Sequence, residues 1–134
     1  MSNSQSGQKK VIGEPIVIGG RQLSLSRAIR AGDFLFLTGQ IPFKDGEPMT
    51  EGDIEEQTRA CIENLRTVLE ASGRGLGDLL DVTAFLIDMD RDFSGYNSVY
   101  GDYFADIQPT RTTLEISALP TPIAVELKVI ASAV

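Results

Sequence analysis

Arg111 is the residue best placed to act on a small charged ligand. It lies two positions after Pro109, within the β-branched run 110–117 that predicts a strand. A guanidinium fixed on a strand can hold a planar carboxylate through two parallel hydrogen bonds, which a lysine cannot do. An isolated strand arginine more often has its tip in water, so the pattern alone leaves both roles open.

Glu126 is the second candidate for chemistry. It alternates with Val125 and Leu127 in the predicted strand 123–132, so its carboxylate lies on the opposite face from theirs, together with Lys128. A carboxylate in that position could orient a water molecule. A solvent-facing or lysine-paired glutamate is the alternative, and the spacing does not decide between the two.

The composition narrows the possible chemistry. The chain has no histidine, which excludes Ser-His-Asp and Cys-His catalysis and histidine-ligated zinc, and no metal site is predicted. Acid–base work therefore falls to carboxylates, tyrosines, the backbone or water. The formal net charge of −7 would repel a phosphate backbone, so nucleic acid is not an expected ligand.

Cysteine usage and hydropathy predict a cytoplasmic protein. Cys61 is the only cysteine, so no intramolecular disulfide can form, and a reducing compartment is expected. On the predicted helix it falls on the apolar stripe, which is typical of a buried, unreactive thiol. No apolar run approaches the roughly 20 residues that span a bilayer, and the first residues lack the apolar centre of a signal peptide, so no membrane association is predicted.

The chain is predicted to form one α+β domain over residues 11–134, preceded by a disordered polar segment at 1–10. A capping box of Asp53 and Glu56 opens the first helix, and Gly73 ends it. The predicted helices are 53–72 and 93–104. The predicted strands are a hairpin within 10–31, the run 34–38, and the segments 79–87, 110–117 and 123–132.

The predicted layers indicate an oligomer. Five or six strands are wider than two helices, so the helices can cover only one face of a mixed sheet. The segments 34–37 and 79–87 nevertheless carry apolar residues at successive positions, so both of their faces favour burial. A second copy of the chain is therefore expected to cover the other face.

Several motifs together resemble the RidA/YjgF family, also labelled endoribonuclease L-PSP, from about residue 22 onward. In order and spacing they match the family, although each is weak when taken alone. They are the segment GDFLFLTGQIP at 32–42, Asn97 and Tyr100, the Pro-Thr-Arg element at 109–111, Leu119-Pro120, and the Glu-bearing strand VELKVIA at 125–131.

The resemblance implies a chorismate-mutase-like fold of about six strands with two helices packed on one face. It also implies a homotrimer with clefts between subunits. The implied activity is hydrolysis of reactive enamines and imines, such as 2-aminoacrylate, to 2-keto acids and ammonia without a cofactor or metal. By the same resemblance, Arg111 binds the substrate carboxylate, Glu126 associates with water, and Thr38, Gly39 and Asn97 line the pocket.

Three departures from the family pattern concern the substrate. Leu25 stands where typical deaminases have an aromatic residue, after Ser24 in place of a proline, and Thr113 stands where many have cysteine. The loop 106–108 is also shorter than usual. These departures keep open a non-catalytic binder of keto acids or similar metabolites. Ribonuclease or translation-inhibitor activity, a label the family also carries, is disfavoured by the acidic balance and the missing histidine.

Overall fold

A computed structural model describes residues 9–134, so most of the predicted disordered segment 1–10 lies outside the described residues. Lys10 already belongs to the first strand, so the predicted boundary of that segment is too late. The strands, labelled β1 to β10 in chain order, are Lys10–Ile12, Val17–Ile18, Arg21–Gln22, Ala28–Ala31, Phe34–Leu37, Phe43–Lys44, Glu47–Pro48, Leu79–Leu86, Thr110–Glu115 and Val125–Ser132.

Six of these strands form one mixed sheet in the order β1-β4-β5-β10-β8-β9. The pair β8 and β9 is parallel, and the other neighbouring pairs are antiparallel. A parallel pair needs a long crossover, which the second helix supplies between them. The predicted mixed sheet of about six strands is confirmed.

The first helix, α1, spans Ile54–Ala71 and confirms the predicted capping box. The Glu56 amide donates to Asp53 Oδ1 at 2.8 Å, and the Asp53 amide donates to Glu56 Oε1 at 3.1 Å. Gly73 follows the helix with a φ of +75°, a left-handed conformation that suits glycine at a helix end.

The second helix, α2, spans Met89–Phe104, so the predicted start at residue 93 is wrong by about one turn. Asp88 caps the helix, because its Oδ1 accepts a hydrogen bond from the Arg91 amide at 3.0 Å. Asp90 and Asp92 occupy the first turn, where the helix dipole favours negative charge. The apolar periodicity begins only at Phe93, which is why the polar first turn was missed.

Both helices pack on one face of the sheet, and the core lies between these two layers. The buried cluster includes Cys61, which is 0% exposed, as the apolar stripe of α1 predicts. Burial raises the pKa of its thiol far above the ordinary value, so this cysteine stays a neutral core residue. The residues that the sheet contributes to the buried cluster include Leu35, Leu37, Val82, Leu127 and Val129.

The other face of the sheet exposes aromatic and aliphatic side chains. Within β5, Leu35 and Leu37 are each 1% exposed, whereas Phe34 and Phe36 are 47% and 41% exposed. Leu114 of β9 is 44% exposed. One chain therefore covers only one of the two apolar faces that the sequence predicts for β5.

Two short hairpins stand apart from the main sheet. The pair β2 and β3 turns at Gly19 and Gly20, whose φ values of +61° and +74° require glycine-like freedom. The pair β6 and β7 turns at Asp45 and Gly46. The strands β6 and β7, each two residues long, were not among the predicted strands. None of the described helices is long and apolar enough to cross a membrane.

Candidate functional site

Arg111 is positioned by the turn that joins α2 to β9. Gln108 has a φ of +51°, and its amide donates to the Phe104 carbonyl at the end of the helix. Pro109 then directs the chain into β9, where Arg111 lies opposite Val82 of the parallel neighbour β8. The arginine therefore emerges beside the last turns of α2.

Side chains of α2 hold the guanidinium in place. Arg111 Nη1 donates a hydrogen bond to Asn97 Oδ1 at 2.8 Å. Its Cζ atom lies 4.7 Å from the ring centroid of Tyr100 and 5.6 Å from that of Tyr96, within the range of a cation–π contact. The other two guanidinium nitrogens of Arg111, Nε and Nη2, take no part in the hydrogen bond to Asn97. The group is solvent-exposed but preorganised, as a carboxylate anchor requires.

The two tyrosines beneath Arg111 stay protonated at neutral pH. Burial raises the pKa of Tyr100 to about 12, and the Arg111 charge only partly opposes this shift. Burial also raises the pKa of Tyr96, against the lowering influence of the Thr113 hydroxyl and of Arg111. Neither phenol can therefore act as a base near pH 7, and their part is to support the guanidinium.

Glu126 lies on the other side of the sheet, against the segment that follows β5. A Cβ added to Gly39 would come within 3.0 Å of Glu126 Cδ and closer still to Oε2, so only glycine allows the carboxylate to lie over this backbone. Hydrogen bonds fix the segment: the Thr38 amide donates to the Arg27 carbonyl, and the Gln40 amide donates to the Leu127 carbonyl.

Burial raises the pKa of the half-buried Glu126 carboxyl above its ordinary value. The charge of Lys128 lowers this pKa, but by less than burial raises it. Lys128 Nζ donates to the Leu37 carbonyl oxygen at 3.1 Å. The hydrogen-bond partner of this lysine is thus a backbone oxygen, and its charge does not cancel the effect of burial on the pKa of Glu126.

A cavity of about 630 Å³ opens beside Glu126. Four of the residues predicted for the site line it, namely Leu25, Thr38, Gly39 and Glu126. Arg111, Asn97 and Thr113 are not among its lining residues. The predicted site residues therefore form two separate groups in one chain, an arginine group and a glutamate group.

The sheet register explains the separation. Arg111 is paired with Val82, and Val82 is paired with Val129, so these three residues share the face that the helices cover. Glu126 lies three positions before Val129 on β10, and it therefore faces the other way. A single chain cannot bring Arg111 and Glu126 to one ligand. Two copies can, if the arginine side of one meets the glutamate side of the next.

Sequence reasoning identified Arg111, Glu126 and Asn97, but it did not predict that tyrosine rings support the arginine. Tyr100 was named only as part of the family motif, and Tyr96 was given no role at the site. Their i, i+4 spacing with Asn97 between them was an available sign of a shared helix surface. Within residues 9–134, no three His, Cys, Asp or Glu side chains gather in a way that could hold a metal ion.

Comparison with known proteins gives consistent matches. The sequence pattern of the family described as Endoribonuclease L-PSP matches residues 21–133. A RutC family protein of Pyrococcus horikoshii is 46% identical over 108 residues, covering 79% of this chain and 84% of that protein.

Solved structures share the fold. The Rid family protein YyfA from Yersinia pestis, described as of unknown function, has a TM-score of 0.83 and 37% identity, over 93% of this chain and 99% of that chain. TdcF of E. coli, solved with bound serine, has a TM-score of 0.79 and 30% identity, over 92% of this chain and 98% of that chain. The fold is thus the chorismate-mutase-like α+β fold that the sequence predicts.

Proposed function

Because the chain belongs to the Endoribonuclease L-PSP family, which is also the RidA/YjgF or Rid family, we propose that it hydrolyses carboxylated enamines and imines to 2-keto acids and ammonia. The observation that carries this proposal is the guanidinium of Arg111, which Asn97 and Tyr100 hold ready for a carboxylate. Glu126 supplies the second group, a half-buried carboxylate with a raised pKa. The expected substrates resemble 2-aminoacrylate.

In the proposed reaction Arg111 binds the substrate carboxylate and thereby fixes the imine carbon. Glu126 accepts a proton from a water molecule as the water oxygen bonds to that carbon. That proton passes to the nitrogen and gives a carbinolamine, with a hydroxyl and an amino group on the same carbon. The hydroxyl proton then moves to the amino group through Glu126 as the C=O bond forms and the carbon–nitrogen bond breaks. Ammonia leaves and a 2-keto acid remains. An imine is already electrophilic, so positioning and proton transfer suffice and no cofactor is needed.

The proposed substrate class agrees with a relative. TdcF of E. coli has been solved with bound serine, which carries a carboxylate and a nitrogen on the same carbon, as an amino-acid-derived imine does. The same arrangement suits a guanidinium that binds the carboxylate. Thr38, Gly39, Asn97, Thr113 and Leu25 are proposed to contact the substrate or shape its pocket.

We propose a homotrimer whose clefts lie between subunits. Arg111 and Glu126 lie on opposite faces of one sheet, so a complete site needs a second copy. The exposed Phe34 and Phe36 supply an apolar surface that such a copy would cover. The number three rests on the family resemblance, and the cytoplasmic location rests on the single buried cysteine.

The test is imine hydrolysis by the wild type and by Arg111→Ala. Arg111 is exposed in the single chain, and the proposed second copy would exclude water from its bidentate pair with the substrate. Loss of such a pair removes about 2–4 kcal/mol of transition-state stabilisation, so kcat/KM should fall by about 30-fold to 1,000-fold. Arg66→Ala is the matched control, because Arg66 also lies over a tyrosine ring, 5.9 Å from the Tyr103 centroid. Equal rates for the wild type and Arg111→Ala would remove the anchor role.

A second candidate is a trimer that binds small keto acids without turnover. Leu25 favours it, because this aliphatic residue lines the cavity where deaminases carry an aromatic ring. Calorimetric binding of keto acids with no hydrolysis of any imine would support this function. We do not propose nucleic acid as a partner, because the net charge is −7 and the chain has no histidine.

A further inference from the structure

The cavity beside Glu126 is lined by two chemically different groups of residues. Polar side chains and backbone groups come from Glu126, Thr38, Gly39 and Gln40. Aliphatic side chains come from the β2–β3 hairpin and the segments next to it, and they form an aliphatic wall of Ile16, Val17, Ile18, Leu23 and Leu25. A molecule that places its reacting atoms at Glu126 would share the cavity with this aliphatic wall.

The aliphatic wall is exposed in the single chain. Val17, Ile18 and Leu25 are 57%, 42% and 47% exposed. A short surface hairpin forms no core of its own that would bury them. The turn at Gly19 and Gly20 reverses the chain direction within the hairpin. The β2 residues of this hairpin, Val17 and Ile18, line the cavity. Apolar side chains exposed around a concave site are typical of ligand pockets.

The size and charge of the cavity also point away from a small or acidic ligand. Its volume of about 630 Å³ lies within the range of about 300–1,000 Å³ that holds drug-sized molecules. The side chain of 2-aminoacrylate is a single methylene and would leave the wall uncovered. Asp45 and Glu126 would repel an anionic side chain, and Arg27, the lining cation, is tied to the Glu14 carbonyl at 2.9 Å.

We propose that this cleft selects imines with a branched apolar side chain of about leucine size, and that the β2–β3 hairpin forms their specificity wall. The inference rests on the proposed function, because it places the imine carbon beside Glu126 in this cavity. Contact with Val17, Ile18 and Leu25 removes apolar surface from water on both sides, which favours the larger substrate. The reaction itself is unchanged.

The test compares imines made in place from leucine, alanine and glutamate by an amino-acid oxidase, with semicarbazide as a competing trap. The leucine-derived imine should have a kcat/KM at least about tenfold above that of the alanine-derived imine, because methylene contacts discriminate by about 10-fold to 200-fold. The glutamate-derived imine should be the poorest of the three. Equal values for leucine and alanine, or a preference for alanine, would overturn the inference while leaving the proposed function intact.

A matched pair of variants assigns the preference to the hairpin. Val17→Ser should lower the leucine-to-alanine ratio, because it replaces an aliphatic wall residue with a polar one. Val134→Ser makes the same change at a residue that is 70% exposed and is not among the cavity's lining residues, and it should leave the ratio unchanged. An unaltered ratio in Val17→Ser and in Leu25→Ser would contradict the role of this wall.

A binding measurement decides the inference even without turnover. If no imine is hydrolysed, the proposed function fails, but calorimetry with the two keto acid products still compares the side chains. The branched 4-methyl-2-oxopentanoate should bind about tenfold more tightly than pyruvate. Equal affinities would overturn the proposed side-chain preference.

Discussion

The guanidinium of Arg111 combines exposure with order, and that combination suits its proposed role as a carboxylate anchor. An exposed arginine normally loses rotamer freedom when it binds a ligand, which weakens binding. Here the Asn97 oxygen and the Tyr100 ring already restrict the side chain. Less entropy remains to be lost when a carboxylate arrives, so the same two hydrogen bonds give tighter binding.

Loss of the Tyr100 ring should weaken substrate binding. Cation–π contacts contribute about 0.5–2 kcal/mol, so Tyr100→Leu should raise KM by about 2-fold to 30-fold with a smaller effect on kcat. Tyr100→Phe keeps the ring and removes only the buried hydroxyl, and it should stay within about twofold of the wild type. Steady-state kinetics with a thermal melt of each variant measures both effects. A loss in Tyr100→Phe equal to that in Tyr100→Leu would contradict the stacking role.

Glu126 should set the acidic limit of activity. Burial favours its protonated form, so the carboxylate forms only above the ordinary glutamate pKa of 4.5. Because the reaction needs the carboxylate, kcat/KM should fall as the pH drops through the raised pKa. A profile of kcat/KM against pH for wild type and Glu126→Gln checks this, and the variant should be slow throughout and lack that limb.

The same shift has a consequence for stability. A raised pKa means that folded Glu126 holds its proton more tightly than unfolded Glu126, so its contribution is present at low pH and is lost as the pH rises through the raised pKa. Glu126→Gln should therefore melt at a higher temperature than the wild type at neutral pH, with the difference vanishing near pH 4. A wild type that is the more stable form at neutral pH would contradict burial as the dominant cause.

At the scale of elements, the close approach of β10 to the segment after β5 determines where the Glu126 carboxylate lies. Gly39→Ala should displace that carboxylate, because the added Cβ would overlap it. We expect kcat to fall by about tenfold or more with little change in KM for the substrate carboxylate. Gly75→Ala is the control, since a Cβ there meets no atom within 4 Å. Full activity in Gly39→Ala would show that the position of Glu126 is not critical.

The elements that sequence reasoning predicted well are those with strong local patterns. The capping box at Asp53 and Glu56 located α1 to within one residue at each end. The start of α2 and the β6–β7 hairpin were missed, because a polar first helical turn and a two-residue strand show no periodic spacing of apolar residues. The position of the β2–β3 hairpin at the cavity depends on tertiary packing, which local patterns do not encode.

Residue type identified the candidate site more readily than it identified the site's geometry. Arg111 and Glu126 were singled out among 12 Lys and Arg residues and 19 Asp and Glu residues by their predicted strand positions and by the family resemblance. Their placement on opposite faces followed only from the register, in which β9 pairs in parallel with β8 while β10 pairs with β8 in the antiparallel sense. A one-residue shift in either pairing would have reversed that conclusion.

At the scale of the whole molecule, the uncovered sheet face and the divided site have one explanation. The face that carries Phe36 and Glu126 is the one that the helices leave open, so a second copy would bury apolar surface and bring an arginine to the glutamate. The sequence predicted that a copy was needed, because residues on both faces of β5 are apolar. The family resemblance implied clefts between subunits, but only the sheet register shows that Arg111 and Glu126 of one chain lie on opposite faces.

We propose that each working site takes Arg111 from one chain and Glu126 from another. Purified Arg111→Ala and Glu126→Gln should each have little activity, because every site lacks one of the two groups. Chains mixed in equal amounts, then dissociated and reassembled, would place an intact arginine beside an intact glutamate at about one quarter of the sites.

The decisive measurement is therefore imine hydrolysis by the reassembled mixture. We expect the mixture to recover about one quarter of the wild-type rate. Each variant that is reassembled alone should stay inactive. Chain exchange is verified independently by mass spectrometry of differently tagged subunits. No recovery in a mixture with proven exchange would contradict the shared site.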